Sequence, residues 1–429
     1  MSATDTAAQS LPAEQRRAEA GLLARILPTR LLVNAQFRLV YPFLPAIARG
    51  LGVPLETAAL LVAFRAAFGA ISPLFGLLAD RIGRKPLMVA GVAALALGAA
   101  VVALGQGFGV VLLGFGLLGV SQSAYDPAMQ AHVSDAVPQE RLGRALGIVE
   151  LSWAGSWLIG VPATGFLMAR WGWQSPFVVI AGLGLLCILL TLTVREVRSP
   201  ATTRLRSGSD AELAAAMSRS EPSGKPSEDD RVRSKGVGVH GAVLPRPVIF
   251  ALAASSLILF ANESLFIVYG ALMEQRFGLT LGALGVASIA VSLAELVGAS
   301  AVVALADRLG KRRSLIVGLL FNAACFALLP FTGAVLPIAL TGLAVVALTS
   351  EFSIVTSIPL LSGLADRSRG LVMALRTALM WGMVIVASFV APRLWDAFGL
   401  PAVAATSAAS ALLAALLVWR GIRSDTLSP

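Results

Sequence analysis

The chain has 429 residues, 57% of them apolar and only 14% charged, whereas soluble domains hold roughly 45–50% apolar and about 25% charged residues. With a mean hydropathy of +0.81, this excludes an ordinary soluble domain and points to a chain that crosses a membrane many times. The formal net charge of +10 is no footprint of nucleic acid, because the basic residues fall in alternate loops between apolar segments.

The tail over residues 1–25 is polar and lacks the apolar stretch of a cleaved signal, so none is expected. Twelve apolar segments follow, at about 27–49, 55–79, 86–105, 109–131, 142–168, 175–194, 247–271, 281–305, 314–332, 335–358, 371–394 and 400–419. Each is about 18 to 27 residues, enough to cross a hydrocarbon core of about 30 Å as a helix. Several, such as "GVAALALGAAVVALG", are apolar on every side, which suits lipid or a large core rather than one buried stripe. The alternating pattern of a lipid-facing barrel does not recur. The expected fold is therefore all-α and membrane-integral. It divides into a six-helix bundle over 26–194, a Ser-, Gly- and charge-rich linker over 195–246, a second six-helix bundle over 247–420 and a tail over 421–429.

Taken alternately from the N-terminal tail, one set of loops and tails holds 27 Lys and Arg and the other holds four, Arg49, Arg170, Arg276 and Arg393. Arg38, Arg65 and Arg376 fall inside segments, which completes the 34 basic residues. This asymmetry places both termini in the cytoplasm of a plasma (inner) membrane protein. Cys187 and Cys325 lie in different halves and read as packing residues. His132 and His240 are too few for a metal cluster, and no metal site or cofactor is expected.

The loop after the second segment reads "GLLADRIGRKPL", with Gly76, Asp80, Arg81, Gly83, Arg84 and Lys85. The loop after the eighth reads "ALADRLGKRRSL", with Asp307, Arg308, Gly310, Lys311 and Arg312, and has Val303 where the first has Gly76. A carboxylate such as Asp80 or Asp307 at a helix end can accept from the free N–H groups of another helix's first turn. Gly76 permits close approach of a neighbouring helix. A second pair of loops carries "SDAVPQERLGRALG", with Asp135, and "LADRSRGLVMALR", with Asp366. Two six-helix halves in the same orientation form a parallel repeat.

The first loop resembles the loop signature of the major facilitator superfamily, and topology, linker and repeat extend the resemblance over the whole chain. It implies a twelve-helix transporter with two pseudo-symmetric bundles around a central cavity. Asp80 then meets the start of helix eleven, and Asp307 meets the start of helix five. Arg84 and Arg312 pair with Asp135 and Asp366. Together these residues form a latch that closes the cytoplasmic side.

Ionisable groups inside a membrane are functional candidates. Segment one carries Asn34, Arg38 and Tyr41 on one face, and segment seven carries Asn262 and Glu263. The resemblance implies that these helices face each other across the cavity. Segment two adds Arg65, segment eight Glu295, segments four and ten Asp126 and Glu351, and segments five and eleven Glu150 and Arg376. Glu263, Glu295, Asp126 and Glu351 are the candidates for proton uptake. Asn34, Arg38, Tyr41, Gln122, Tyr125 and Asn262 are the candidates for substrate contact. Glu150 and Arg376 read as structural. In segment five, Gly155, Gly160, Gly165 and Pro162 promise close packing and a bend.

The expected function is secondary transport of a small molecule by alternating access, proton-coupled, with export preferred. The expected partners are the substrate, protons and the lipid bilayer, with no nucleic acid, and the protein is expected to be a monomer. A proton symporter importing an anionic or amphipathic solute and a non-transporting receptor or scaffold remain alternatives. No phosphate-cradling G-x-x-x-x-G-K-[ST] occurs, so neither ATP-driven transport nor an enzyme is expected.

Overall fold

The computed structural model describes residues 13–196, 244–333, 335–364 and 369–422. Within a bilayer every backbone N–H and C=O must find a partner inside its own segment, and only helices occur among the described residues. In chain order they are α1a (Ala13–Arg38), α1b (Val40–Leu51), α2a (Leu55–Ala70), α2b (Ser72–Ile82), α3 (Arg84–Leu104), α4 (Phe108–Ala136), α5a (Gln139–Gly155), α5b (Val161–Trp171), α6 (Ser175–Leu192), α7 (Arg246–Phe277), α8 (Leu281–Leu309), α9 (Lys311–Leu328), α10 (Leu336–Gly363), α11 (Arg369–Phe398) and α12 (Leu400–Gly421).

Nine of these are, unbroken, long and apolar enough to span a membrane, and α1 qualifies as a pair bent by 57°. Helices 1 and 2 are thus interrupted where the sequence promised continuous segments, helix 5 is interrupted where it promised a bend, and proline explains each break. Pro42 removes an N–H and its ring crowds the carbonyl of Arg38, just before the break at Leu39. Pro73 lacks an N–H and its ring crowds the carbonyl of Gly69, four residues back, and α2 breaks between them at Ile71. Pro162 follows a π-helical turn over Ser156–Gly160 that joins α5a to α5b.

Each half is a six-helix bundle, and the two repeat one another in detail. The loops after α2 and α8 turn on glycines at positive φ, Gly83 at 98° and Gly310 at 80°, where a side chain would be strained. Lys85 Nζ donates to the Leu192 carbonyl at the end of α6, 2.8 Å away, and Arg312 Nη2 donates to the Trp419 carbonyl near the end of α12, 2.7 Å away. Both bonds span 107 residues. Each joins a cation to the negative end of a helix. The loops concerned and both described termini lie at one end of the molecule, here the basic face.

The bundles meet away from the basic face. There α1b packs on α7, α2a on α11 and α5b on α8. Glycines make this closeness possible. A Cβ on Gly165 would stand 2.5 Å from the Leu281 carbonyl, one on Gly270 would strike the Pro42 carbonyl, and one on Gly69 would strike the Trp381 indole. Toward the basic face, α2b packs on α3 and α4 of its own bundle. Gly76 has nothing within 4 Å of the point where a Cβ would stand. Among the described residues, no helix of the opposing bundle makes the close approach expected at Gly76.

Candidate functional site

The break in α1 sets the site. It turns the polypeptide just above Arg38, so that Arg38 and Tyr41 both reach the seam between the bundles. Arg38 Nη2 lies 3.5 Å from Glu295 Oε2 on α8, with both side chains more than nine-tenths buried. Tyr41 O–H donates to Glu263 Oε2 on α7 at 2.7 Å. Arg65, 2% exposed, donates from Nη1 to the Phe37 carbonyl at 3.0 Å. Half-buried Glu351 lies within electrostatic range of Glu295 and Arg38. Two guanidinium groups therefore face three carboxyl groups, drawn from both bundles.

Aromatic rings wall this charge cluster. The Arg38 guanidinium lies 4.0 Å over the Trp153 ring and 4.7 Å over Trp157, and that of Arg65 lies 4.1 Å over Phe37. Such cation–π contacts gain strength where water is excluded. Phe37 packs on Tyr41 and Trp381, and Phe266 packs on Tyr41, Trp157 and Tyr269. On the side away from the basic face the seam is sealed. There Arg49 pairs with Glu274 through two bonds of 2.6 and 3.1 Å, and Arg393 Nη2 lies 3.6 Å from Glu56.

The remaining sequence candidates divide. Asn34 is fully buried and donates to Ser152 Oγ at 3.1 Å, tying α1a to α5a. Asn262 is buried one residue before Glu263, and Gln122 is 9% exposed. Tyr125, expected along the cavity, is fully buried close to Thr29 and Cys187 inside the first bundle. The reason is register: Gly91 of α3 backs onto the Tyr125 backbone, which turns the ring inward. Asp126 is held by Arg30, and Glu150 lies 3.5 Å from the same guanidinium. Asp126 thus sits in an ion-pair cluster of the first bundle, apart from the three central carboxyls.

Arg84 pairs with Asp135 and also donates to the Ala131 carbonyl, within the first bundle. Arg312 makes the Trp419 bond already described. Asp366, and the side chains of Asp80 and Asp307, lie outside the described residues. Gly155, Gly160 and Gly165 pack tightly against Leu31, Ala35 and α8 in turn.

Sequence reasoning missed Arg30, which was counted with the tail, and the aromatic wall. Arg30, Asn34 and Arg38 follow each other at four-residue spacing, and Trp153 and Trp157 do the same in "LSWAGSW". Both are one-face patterns.

The family model described as Major Facilitator Superfamily matches residues 26–269 and 251–428. The uncharacterized MFS-type transporter YceJ of Bacillus subtilis is 23% identical over 366 residues, covering 83% of this chain and 85% of that protein. A multi-drug resistance efflux pump PmrA homolog of Lactococcus lactis is 32% identical over 166 residues, covering 37% of this chain and 40% of that protein. The latter match thus spans about two fifths of the relative. The crystal structure of a D-xylose-proton symporter superposes with a TM-score of 0.72 at 17% identity, covering 94% of this chain and 98% of that one. The chain belongs to the Major Facilitator Superfamily and is a multi-pass secondary transporter, not an enzyme.

Proposed function

We propose that the protein is a proton-coupled exporter of amphipathic, aromatic small molecules from the cytoplasm, working as a monomer by alternating access in the plasma membrane. On this reading the basic face is cytoplasmic, and the contacts that join the bundles at the opposite face, Arg49–Glu274 and Arg393–Glu56, close the outer side. The linker over 195–246 joins the two bundles on that side.

The observation that carries the reading is the buried Arg38–Glu295 pair, which joins the two bundles across their seam. Opening outward must separate α1 from α7 and α8. A buried carboxylate left without its cation is costly, and a proton from outside relieves it. Closing outward again returns Arg38 to Glu295, and the proton leaves toward the cytoplasm. Protons thus load in one state and unload in the other, as exchange for an exported solute requires. The similarity to an efflux pump supports the direction.

The rings of Phe37, Trp153, Trp157, Phe266 and Trp381 offer flat apolar surface to the substrate. Arg38, neutralised by Glu295 and stacked on two indoles, is engaged rather than free to hold an anion in this state. The latch belongs to the outward-open state, where α2b, through Gly76 and Asp80, closes on the start of α11.

Everted membrane vesicles test the function. With an acid interior, they should accumulate fluorescent amphipathic aromatic compounds, and collapse of the pH gradient should release them. Accumulation only in right-side-out vesicles would mean import. No binding, by thermal shift at two pH values, and no accumulation of any compound would overturn transport of this class.

A further inference from the structure

A line of polar side chains runs through the first bundle, behind α1 as seen from the central site. Thr29 and Gln36 lie two turns apart on one face of α1a, about 10 Å along its axis, turned about 140–160° from Asn34. Ser121, Tyr125 and His132 follow one another on a single face of α4, at spacings of four and seven. All five residues are at most 1% exposed. The Thr29, Ser121 and Tyr125 hydroxyls, both amide atoms of Gln36 and both ring nitrogens of His132 have no hydrogen-bond partner among the described residues. Buried polar atoms in native interiors are nearly always paired or hydrated.

The groups lie on helices that pack together. α1a and α4 are antiparallel and in contact, so Thr29 falls at the level of Tyr125, and Gln36 beyond Ser121. Thr29 lies near both the Tyr125 hydroxyl and the Cys187 thiol of α6, close enough to interact yet outside direct hydrogen-bond geometry. One end is His132, near the basic face, where the charges of Asp135, Arg84, Lys85 and Glu196 surround it. At the other end, Arg65 donates to the carbonyl of Phe37, the residue after Gln36. Arg65 Nε and Nη2 have no hydrogen-bond partner among the described residues, and its charge is felt by Tyr41 and Glu263. Hydroxyls, an amide and an imidazole both donate and accept. That mixture suits water better than an ion.

We propose that a file of internal water threads the first bundle from His132 past Tyr125 and Gln36 to Arg65, giving protons a route between the basic face and the Tyr41–Glu263 pair that bypasses the substrate cavity. The route, though not the water itself, rests on the reading of Glu263 as a proton carrier. Substrate in the central cavity then need not block proton release.

Hydroxyl-radical labelling of the full chain in nanodiscs, read by mass spectrometry, tests the water. Radicals form from water on site, so Tyr125 and Cys187 should label about tenfold faster, after correction for intrinsic reactivity, than buried Phe115 and Phe177 of the same bundle. Equal, slow labelling of all four overturns the proposal. Gln36→Leu with Thr29→Val should slow labelling at Tyr125 and slow stopped-flow proton exchange about tenfold, with substrate affinity unchanged. Unslowed exchange overturns the route. If the unaltered chain exchanges no protons, the reading of Glu263 fails, while the labelling still decides the water.

Discussion

Arg38 and Glu295, 257 residues apart in the sequence, meet at 3.5 Å in the buried seam between the two bundles. The break at Leu39 and the two indoles beneath the guanidinium fix where Arg38 stands. The pair therefore reports which way the bundles are tilted.

Removing one partner of a buried pair costs about 3–5 kcal/mol, more than removing both, because a charge is left uncompensated. Arg38→Ala should therefore lower the melting temperature of the detergent-purified protein more than Arg38→Ala with Glu295→Gln. Equal losses in the single and double variants would show that the two side chains are not coupled.

Much of this was legible in the sequence. Repeated loops such as "ADRIGRK" and "ADRLGKR" announce two halves, and their places inside apolar segments mark Arg38, Arg65, Glu263 and Glu295 as candidates. Pairing was not legible. Arg38 lies 42 residues before Asp80 and Glu263 lies 44 before Asp307, near-equivalent places in the two repeats, yet Arg38 reaches α8 and leaves Glu263 to Tyr41, because side-chain direction at the seam depends on the bend in α1. The inward placement of Tyr125 was illegible for a related reason. A helix apolar on most faces carries little signal about which face looks inward, and only the contact with Gly91 settles it.

Two glycines should act in opposite senses. A leucine at Gly165 would collide with the α8 backbone, and overpacking of this kind costs about 1–3 kcal/mol or more. Gly165→Leu should open the outer side and increase labelling of an Ala46→Cys probe by an impermeant maleimide. No described residue lies within 4 Å of a Cβ built on Gly76, so Gly76→Leu should leave the melting temperature unchanged, block closure of the basic face and stop transport. A large drop in melting temperature for Gly76→Leu would contradict this.

The Arg49–Glu274 pair lies at the rim opposite the basic face, with the Arg49 side chain 63% exposed. An exposed pair contributes about 0.5–1 kcal/mol, so Arg49→Ala should raise the outward-open population two- to fivefold. Spin labels at Val53 and Leu279, with distances read by electron–electron resonance, measure this directly. Arg49→Glu with Glu274→Arg should restore the original distribution. A swap that restores nothing would show that the pair does not hold the rim.

The central claim is that carboxylates in the seam carry the protons. The direct measurement is proton flux in proteoliposomes under an imposed pH gradient, for the unaltered chain, Glu263→Gln, Glu295→Gln and the double variant. The account predicts that substrate drives proton movement in the unaltered protein, that each single variant loses much of it, and that the double variant still binds substrate but no longer responds to the gradient. Gradient-driven transport that persists in the double variant would contradict it.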